Sequence, residues 1–149
     1  MKITDIAVGK AHDTLLRESI DDFTARIGHY MPIEWKIVDD DEKILKNITD
    51  GKNGTTRNSG DYIVALDEKG KCVSSTGLAE RLQKCLNSSV KRLVFIIGGA
   101  YGLSDAVRDK SDNIISLSEM TFPHQLVRLI LAEQIYRACT ILKGEHYHH

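Results

Sequence analysis

Apolar residues recur along the chain with two periods, and each change of period marks an element. Lys2 to Val8 is apolar and β-branched and ends at Gly9, which predicts a first strand. From Asp13 to Tyr30 the apolar positions Leu15, Leu16, Ile20, Phe23 and Ile27 fall at helical spacing, with Gly28 near the end and Pro32 blocking continuation. Ile33 to Val38 alternates and reads as a second strand. The acidic run Asp39 to Glu42 opens a short helix to about Thr49, and its charges suit the helix dipole better than a metal. Gly51 to Gly60 is the most loop-like stretch. Its Lys52 and Arg57 are either phosphate contacts or solvated loop cations.

Asp61 to Leu66 is a third strand, followed by a turn over Asp67-Glu68-Lys69-Gly70. Ser75 or Thr76 caps a helix running to about Leu86. Arg92 to Ile97 (RLVFII) is apolar almost without interruption, the mark of a central strand covered on both faces. Ser104 or Asp105 opens a short helix, Asn113 to Leu117 is a fifth strand, and Pro123 at the first helical position begins a last helix to about Leu142. Strands alternate with helices, so the expected fold is a single α/β domain over residues 1–149 with a mainly parallel sheet.

The last helix carries its own information. Leu126, Val127, Leu129, Ile130, Leu131, Ile135, Ile141 and Leu142 point nearly all round its axis. One small domain cannot cover such a helix on every side, which predicts a homodimer. Glu133 and Arg137 sit four apart and are either a simple helical ion pair or a functional arginine. His124 and Arg128 share another face.

Charge narrows the partners. Twenty basic against 21 acidic residues give a net charge of -1, so any RNA site must be a local patch or be built by assembly. No apolar run approaches a membrane span and no secretory h-region opens the chain. Cys72, Cys85 and Cys139 form no CxxC pair, which fits idle thiols in a reducing cytoplasm and no metal site.

Two loops could carry chemistry. Gly98-Gly99-Ala100-Tyr101-Gly102 follows the central strand, and such a turn lets a ligand approach the backbone. It matches neither a dinucleotide fingerprint nor a P-loop. Leu117, Ser118, Glu119, Met120, Thr121 and Phe122 join the fifth strand to the last helix. Their unpaired main-chain groups and apolar side chains suit an adenosine-like ligand. The ending Glu145-His146-Tyr147-His148-His149 reads from composition first as a disordered end, with a metal tract, an expression remnant or a catalytic tail as alternatives.

Taken together, KITDIAVG (Lys2 to Gly9), Leu66 to Gly70, FIIGGAYGL (Phe95 to Leu103), SLSEMTFPHQLVR (Ser116 to Arg128), AEQIYRA (Ala132 to Ala138) and the final Tyr147-His148 are more specific. In this order they resemble the SPOUT methyltransferases, in particular the RlmH (YbeA-like) family of ribosomal large-subunit RNA methyltransferases. The resemblance implies an α/β fold with a deep C-terminal trefoil knot, a homodimer, and S-adenosylmethionine as cofactor. The implied reaction is methylation of N3 of a pseudouridine in large-subunit ribosomal RNA on the assembled ribosome. It implies that Leu66, Gly98, Gly99 and residues Leu117 to Phe122 hold the cofactor. It also implies that Tyr147 and His148 belong to a tail over the active site.

The expected catalytic roles are His148 as proton acceptor or orienter, Tyr147 as positioning group and Arg137 as a phosphate or ring-anion contact, with His124 and Arg128 secondary. The family pattern has proline before the Tyr-His pair, where this chain has His146. A relative acting on tRNA and a non-catalytic ribosome assembly factor are the neighbouring readings.

Overall fold

A computed structural model describes residues 1–50 and 54–149. Strands β1 (Lys2–Val8), β2 (Ile33–Val38), β3 (Asp61–Cys72), β4 (Arg92–Ile97) and β5 (Asn113–Ser116) form one parallel sheet in the order β2-β1-β4-β3-β5. Helices α1 (Thr14–Gly28), α2 (Asp41–Ile48), α3 (Ser75–Leu86), α4 (Asp105–Asp109) and α5 (His124–Leu142) alternate with the strands and cover both faces.

The alternation of side chains along β4 divides the core. Leu93, Phe95 and Ile97 join Leu78, Leu82, Leu131 and Ile135 beneath α3 and α5, while Val94 and Ile96 join Ile44, Ile48 and Val107 beneath α2 and α4. β4 lies between β1 and β3 and is buried on both faces, which is why its sequence is apolar without a break. Each such side chain contributes about 1.5–3 kcal/mol by leaving water.

The helix starts are set by side-chain caps. Asp13, Asp40 and Ser104 accept the N–H groups of Leu15, Lys43 and Val107. At α3 the cap is Ser74, one residue before Ser75 and two before Thr76, because the Ser75 hydroxyl is already committed to Gln134 of α5 at 2.6 Å. Pro123 precedes α5 instead of opening it. Its ψ of 137° is extended, so the first helical residue is His124, and no side chain caps that terminus.

The larger departure is in β3, which continues through the expected turn to Cys72. The register jumps between Leu66 and Lys71, both of which pair with Ile115, so Asp67 to Gly70 form a bulge whose composition mimics a turn. A Cβ on Gly70 would sit 2.6 Å from the carbonyl carbon of Ile115, so only glycine lets β5 pass this close.

α5 packs on α1 and α3. Leu131, Ile135, Ala138 and Cys139 are buried there, whereas Leu126, Leu129 and Ile130 stay half-exposed on the other side. Arg57 is not a free cation: it grips Asp112 at 2.6 and 3.0 Å and donates to the Asp61 carbonyl. Lys52 lies outside the described residues. Cys85 and Cys139 are buried thiols, the latter pushed up to about 11 by burial, and Cys72 is exposed. Among the described residues no helix is long and apolar enough to cross a membrane.

Candidate active site

Because all five strands run the same way, their carboxyl ends share one edge of the sheet, where open α/β sheets bind ligands. A cleft of about 560 Å³ opens there, within the range of small-molecule sites. Three stretches line it: 66–69 at the β3 bulge, 97–102 after β4, and 116–124 after β5 with Glu119 excepted.

The turn after β4 closes with the Gly102 N–H donating to the Gly99 carbonyl at 3.0 Å, and Gly102 adopts φ +78°. It is so tight that a Cβ on Gly98 would meet the Gly102 carbonyl carbon at 2.8 Å and its oxygen at 2.9 Å. The loop after β5 is shaped by its own hydroxyls. Ser116 Oγ donates to the Ser118 carbonyl at 2.7 Å, and Ser118 Oγ accepts from the Met120 N–H at 3.0 Å. Thr121 Oγ1 donates to Glu68 Oε2 at 3.0 Å and so ties this loop to the bulge. Among the described residues, 118–122 form no backbone–backbone hydrogen bond; hydroxyls take up the Ser118 and Met120 N–H groups and the Ser118 carbonyl, and the main-chain groups of Thr121 and Phe122 are left for a ligand.

Under the cleft the Arg108 guanidinium holds Asp67 through Nη2 at 2.5 Å and Nε at 3.1 Å. Burial alone would raise the Asp67 carboxyl, but the Lys69 N–H and Arg108 outweigh it and hold it below its usual range.

A second cluster sits on α5, outside that lining. Glu133 Oε1 accepts from Arg137 Nη2 at 2.7 Å, from Arg137 Nε at 3.0 Å and from the Tyr147 hydroxyl at 3.0 Å. Arg137 Nη1 lies 3.1 Å from His148 Nδ1, and its guanidinium stacks 4.8 Å from the Tyr147 ring centre. Tyr147 also packs edge-on against Tyr136 at 4.8 Å. Burial first, and the contact with Glu133 second, push the Tyr147 hydroxyl above its ordinary value. The ending is therefore folded back on α5 and is not the disordered end that composition favoured. Glu133 and Arg137 are both an ion pair and the base on which this tail rests.

A family model described as a predicted SPOUT methyltransferase matches residues 1–148. The chain belongs to the SPOUT methyltransferase family. It is 44% identical over 157 residues to the ribosomal RNA large subunit methyltransferase H of Flavobacterium johnsoniae, covering 100% of this chain and 99% of that one. The proteins of the same name from Cytophaga hutchinsonii and Geobacter metallireducens are each 41% identical, over 155 and 162 residues, with 100% of this chain covered and 100% and 99% of theirs. Among solved structures, a probable methyltransferase from Bordetella pertussis Tohama I shares the fold with a TM-score of 0.57 at 10% identity, over 93% of this chain and 94% of that chain. The SpoU methyltransferase AviRb from Streptomyces viridochromogenes, solved with the cofactor AdoMet, shares it with a TM-score of 0.53 at 12% identity, over 97% of this chain and 59% of that chain.

The SPOUT fold brings most of the expected cofactor residues to one place. Leu66, Gly98, Gly99, Leu117, Ser118, Met120, Thr121 and Phe122 all line the cleft, whereas Glu119 does not. Arg137, Tyr147 and His148 come together, but away from it. His124 lines the cleft. Arg128 is removed as a substrate contact, because it is fully buried and donates to the Lys10 and Val8 carbonyls at 2.8 and 3.3 Å, with His12 Nδ1 at 3.3 Å. It locks the end of β1 to α5. Burial, then the charge of Arg128, lowers His12 below its ordinary value. Sequence reasoning missed Asp67 and Arg108, since nothing local marks two residues 41 apart as partners.

Proposed function

We propose that this chain transfers a methyl group from S-adenosylmethionine to N3 of a pseudouridine in large-subunit ribosomal RNA. It would act as a homodimer on assembled ribosomes in the cytoplasm. The observation that carries this reading is the convergence of the bulge, the glycine turn and the 117–122 loop on one cleft, in a chain matched end to end by relatives named for ribosomal RNA methylation.

The residues fit the cofactor. Leu66, Leu117 and Phe122 offer apolar walls, the backbone of Thr121 and Phe122 offers donors and acceptors without a backbone partner, and Gly98, packed against Gly102, keeps the turn tight along the cleft. When bound, S-adenosylmethionine supplies a methyl group already activated for transfer to a nucleophile. The protein's task is to bring that nucleophile into line and to favour its anionic form.

N3 of pseudouridine carries a proton near neutral pH, and its lone pair is a good nucleophile only once that proton has gone to solvent. Arginine can only donate, so His148 Nδ1 must accept from Arg137, and the neutral imidazole then carries its hydrogen on Nε2. That tautomer makes His148 a donor toward the ring oxygens that share the negative charge. It supports the orienting role over that of proton acceptor. Arg137 adds positive charge beside it, and Tyr147 fixes both.

Distance supports the homodimer. Glu133 and Arg137 lie nine and thirteen residues along α5 from His124, roughly 14–20 Å at the helical rise. One protomer's tail therefore does not reach its own cleft. The half-exposed Leu126, Leu129 and Ile130 face supports an antiparallel second α5, which would bring the tail of one copy to the cleft of the other. The trefoil knot belongs to the same proposal, supported by the close passage of β5 over Gly70. So does a single domain over residues 1–149, supported by a core that runs across all five strands. With a net charge of -1, the ribosome must supply a pre-shaped target.

The test is transfer of labelled methyl groups to ribosomes lacking the modification, with protein-free RNA and tRNA alongside. Label in large-subunit RNA of intact ribosomes is the expected result. Label in tRNA overturns the substrate, and no label in any of them overturns the reaction.

A further inference from the structure

Two large apolar side chains project unsupported at the mouth of the cleft. Tyr101 has a relative exposure of 102% and Met120 of 74%, and both line the cleft from different stretches. Leu15 and Leu86 complete the set of exposed large apolar residues among those described, so half of the set stands at this one opening. The position of Tyr101 is fixed by its backbone. It is the third residue of the turn closed between Gly99 and Gly102, whose backbone cannot relax because Gly98 lies against Gly102. Among the described residues no hydrogen bond or ring contact holds its phenol. A rigid turn thus presents a bare aromatic ring to solvent at the entrance to a cofactor-sized cleft.

We infer that Tyr101 is the stacking platform for an unpaired nucleobase of the RNA substrate, with Met120 of the loop after β5 as a second apolar wall. An aromatic face suits this task because every base has a π-surface, and an unstacked base gains in contact what it lost on leaving its helix. A thioether is a flexible, polarizable second wall that adapts to the base edge. The local pair also answers the charge problem. A chain without basic excess gains little from overall phosphate attraction, and base stacking adds a contact that net charge does not supply. The inference rests on the RNA methyltransferase reading above. It adds the residue that grips the substrate.

The experiment uses the full chain in steady-state methyl transfer to unmodified ribosomes, with Tyr101→Ala, Tyr101→Phe and Tyr101→Trp. Tyr101→Ala should raise KM for ribosomes by ~10-fold or more, with kcat and the dissociation constant of S-adenosylmethionine unchanged. Tyr101→Phe and Tyr101→Trp should keep KM near the parent value, since the ring and not the hydroxyl does the stacking. An unchanged KM in Tyr101→Ala, beside a normally active parent, overturns the platform alone. Weakened cofactor binding in Tyr101→Ala also overturns it and makes the ring a wall of the cofactor cleft. An inactive parent overturns the reading beneath it, and the platform with it.

Discussion

Replacing Asp5 by leucine should stabilise the protein, and by more as the pH rises. Asp5 lies in β1, paired with Trp35 on one side and Phe95 on the other, and neither of its carboxyl oxygens has a hydrogen-bond partner. It is fully buried, and burial raises its pKa well above the ordinary carboxylate value, so the folded state keeps the proton to a higher pH than the unfolded chain does. An unsatisfied buried polar group costs about 1–3 kcal/mol. Leucine has the same branched outline, and burying it contributes about 1.5–3 kcal/mol, from which any repacking strain is subtracted. The net expectation is a gain of ~2–4 kcal/mol under acidic conditions, a rise in Tm of roughly 6 °C or more.

The pH dependence follows from linkage. Between the unfolded carboxyl pKa near ~4 and the raised folded value, the folded state binds more protons than the unfolded one. Its stability is therefore complete below ~4 and falls as pH rises through that window, by about 1.4 kcal/mol per pH unit. Chemical denaturation at fixed protein concentration over about pH 5–8 reads this directly. The advantage of Asp5→Leu over the parent should widen with pH. Asp5→Asn keeps two polar atoms but cannot ionise, so it should lose the pH slope yet stay less stable than Asp5→Leu. A parent and Asp5→Asn that run parallel across the pH range would refute the reasoning.

Three other perturbations probe the site and its supports. Gly98→Ala drives a Cβ into the Gly102 carbonyl and should weaken S-adenosylmethionine binding by ~10-fold or more in calorimetric titration, because the turn must open. Arg137→Ala should lower kcat on ribosomes by ~100-fold with cofactor affinity unchanged, and Arg137→Lys should recover little, since lysine cannot hold Glu133 and His148 together. Arg128→Leu leaves the Val8 and Lys10 carbonyls without their donor and should cost ~2 kcal/mol or more, read as a lower Tm.

The sequence by itself determined the order and type of the elements and most of the cleft. RLVFII could only be a doubly covered strand, and the 3.6-residue stripe of Leu16, Ile20, Phe23 and Ile27 could only be a helix. The two loops that meet at the cleft were legible because glycine clustering and unpaired backbone are local properties. The strand order was not local, and it is the order that sets β3 beside both β4 and β5 and so brings the bulge to the glycine turn.

Only the tertiary structure could show that Asp67-Glu68-Lys69-Gly70 is a bulge, because the partner that makes it one, Ile115, is more than forty residues away in the chain. The same holds for the Asp67–Arg108 pair, for the burial of Arg128 under the end of β1, and for the ending that composition gave to disorder and Glu133 and Arg137 hold in place. Periodicity reports which face of an element is apolar. It does not report which distant residue will meet a polar atom there, because that is decided by the packing of the whole chain.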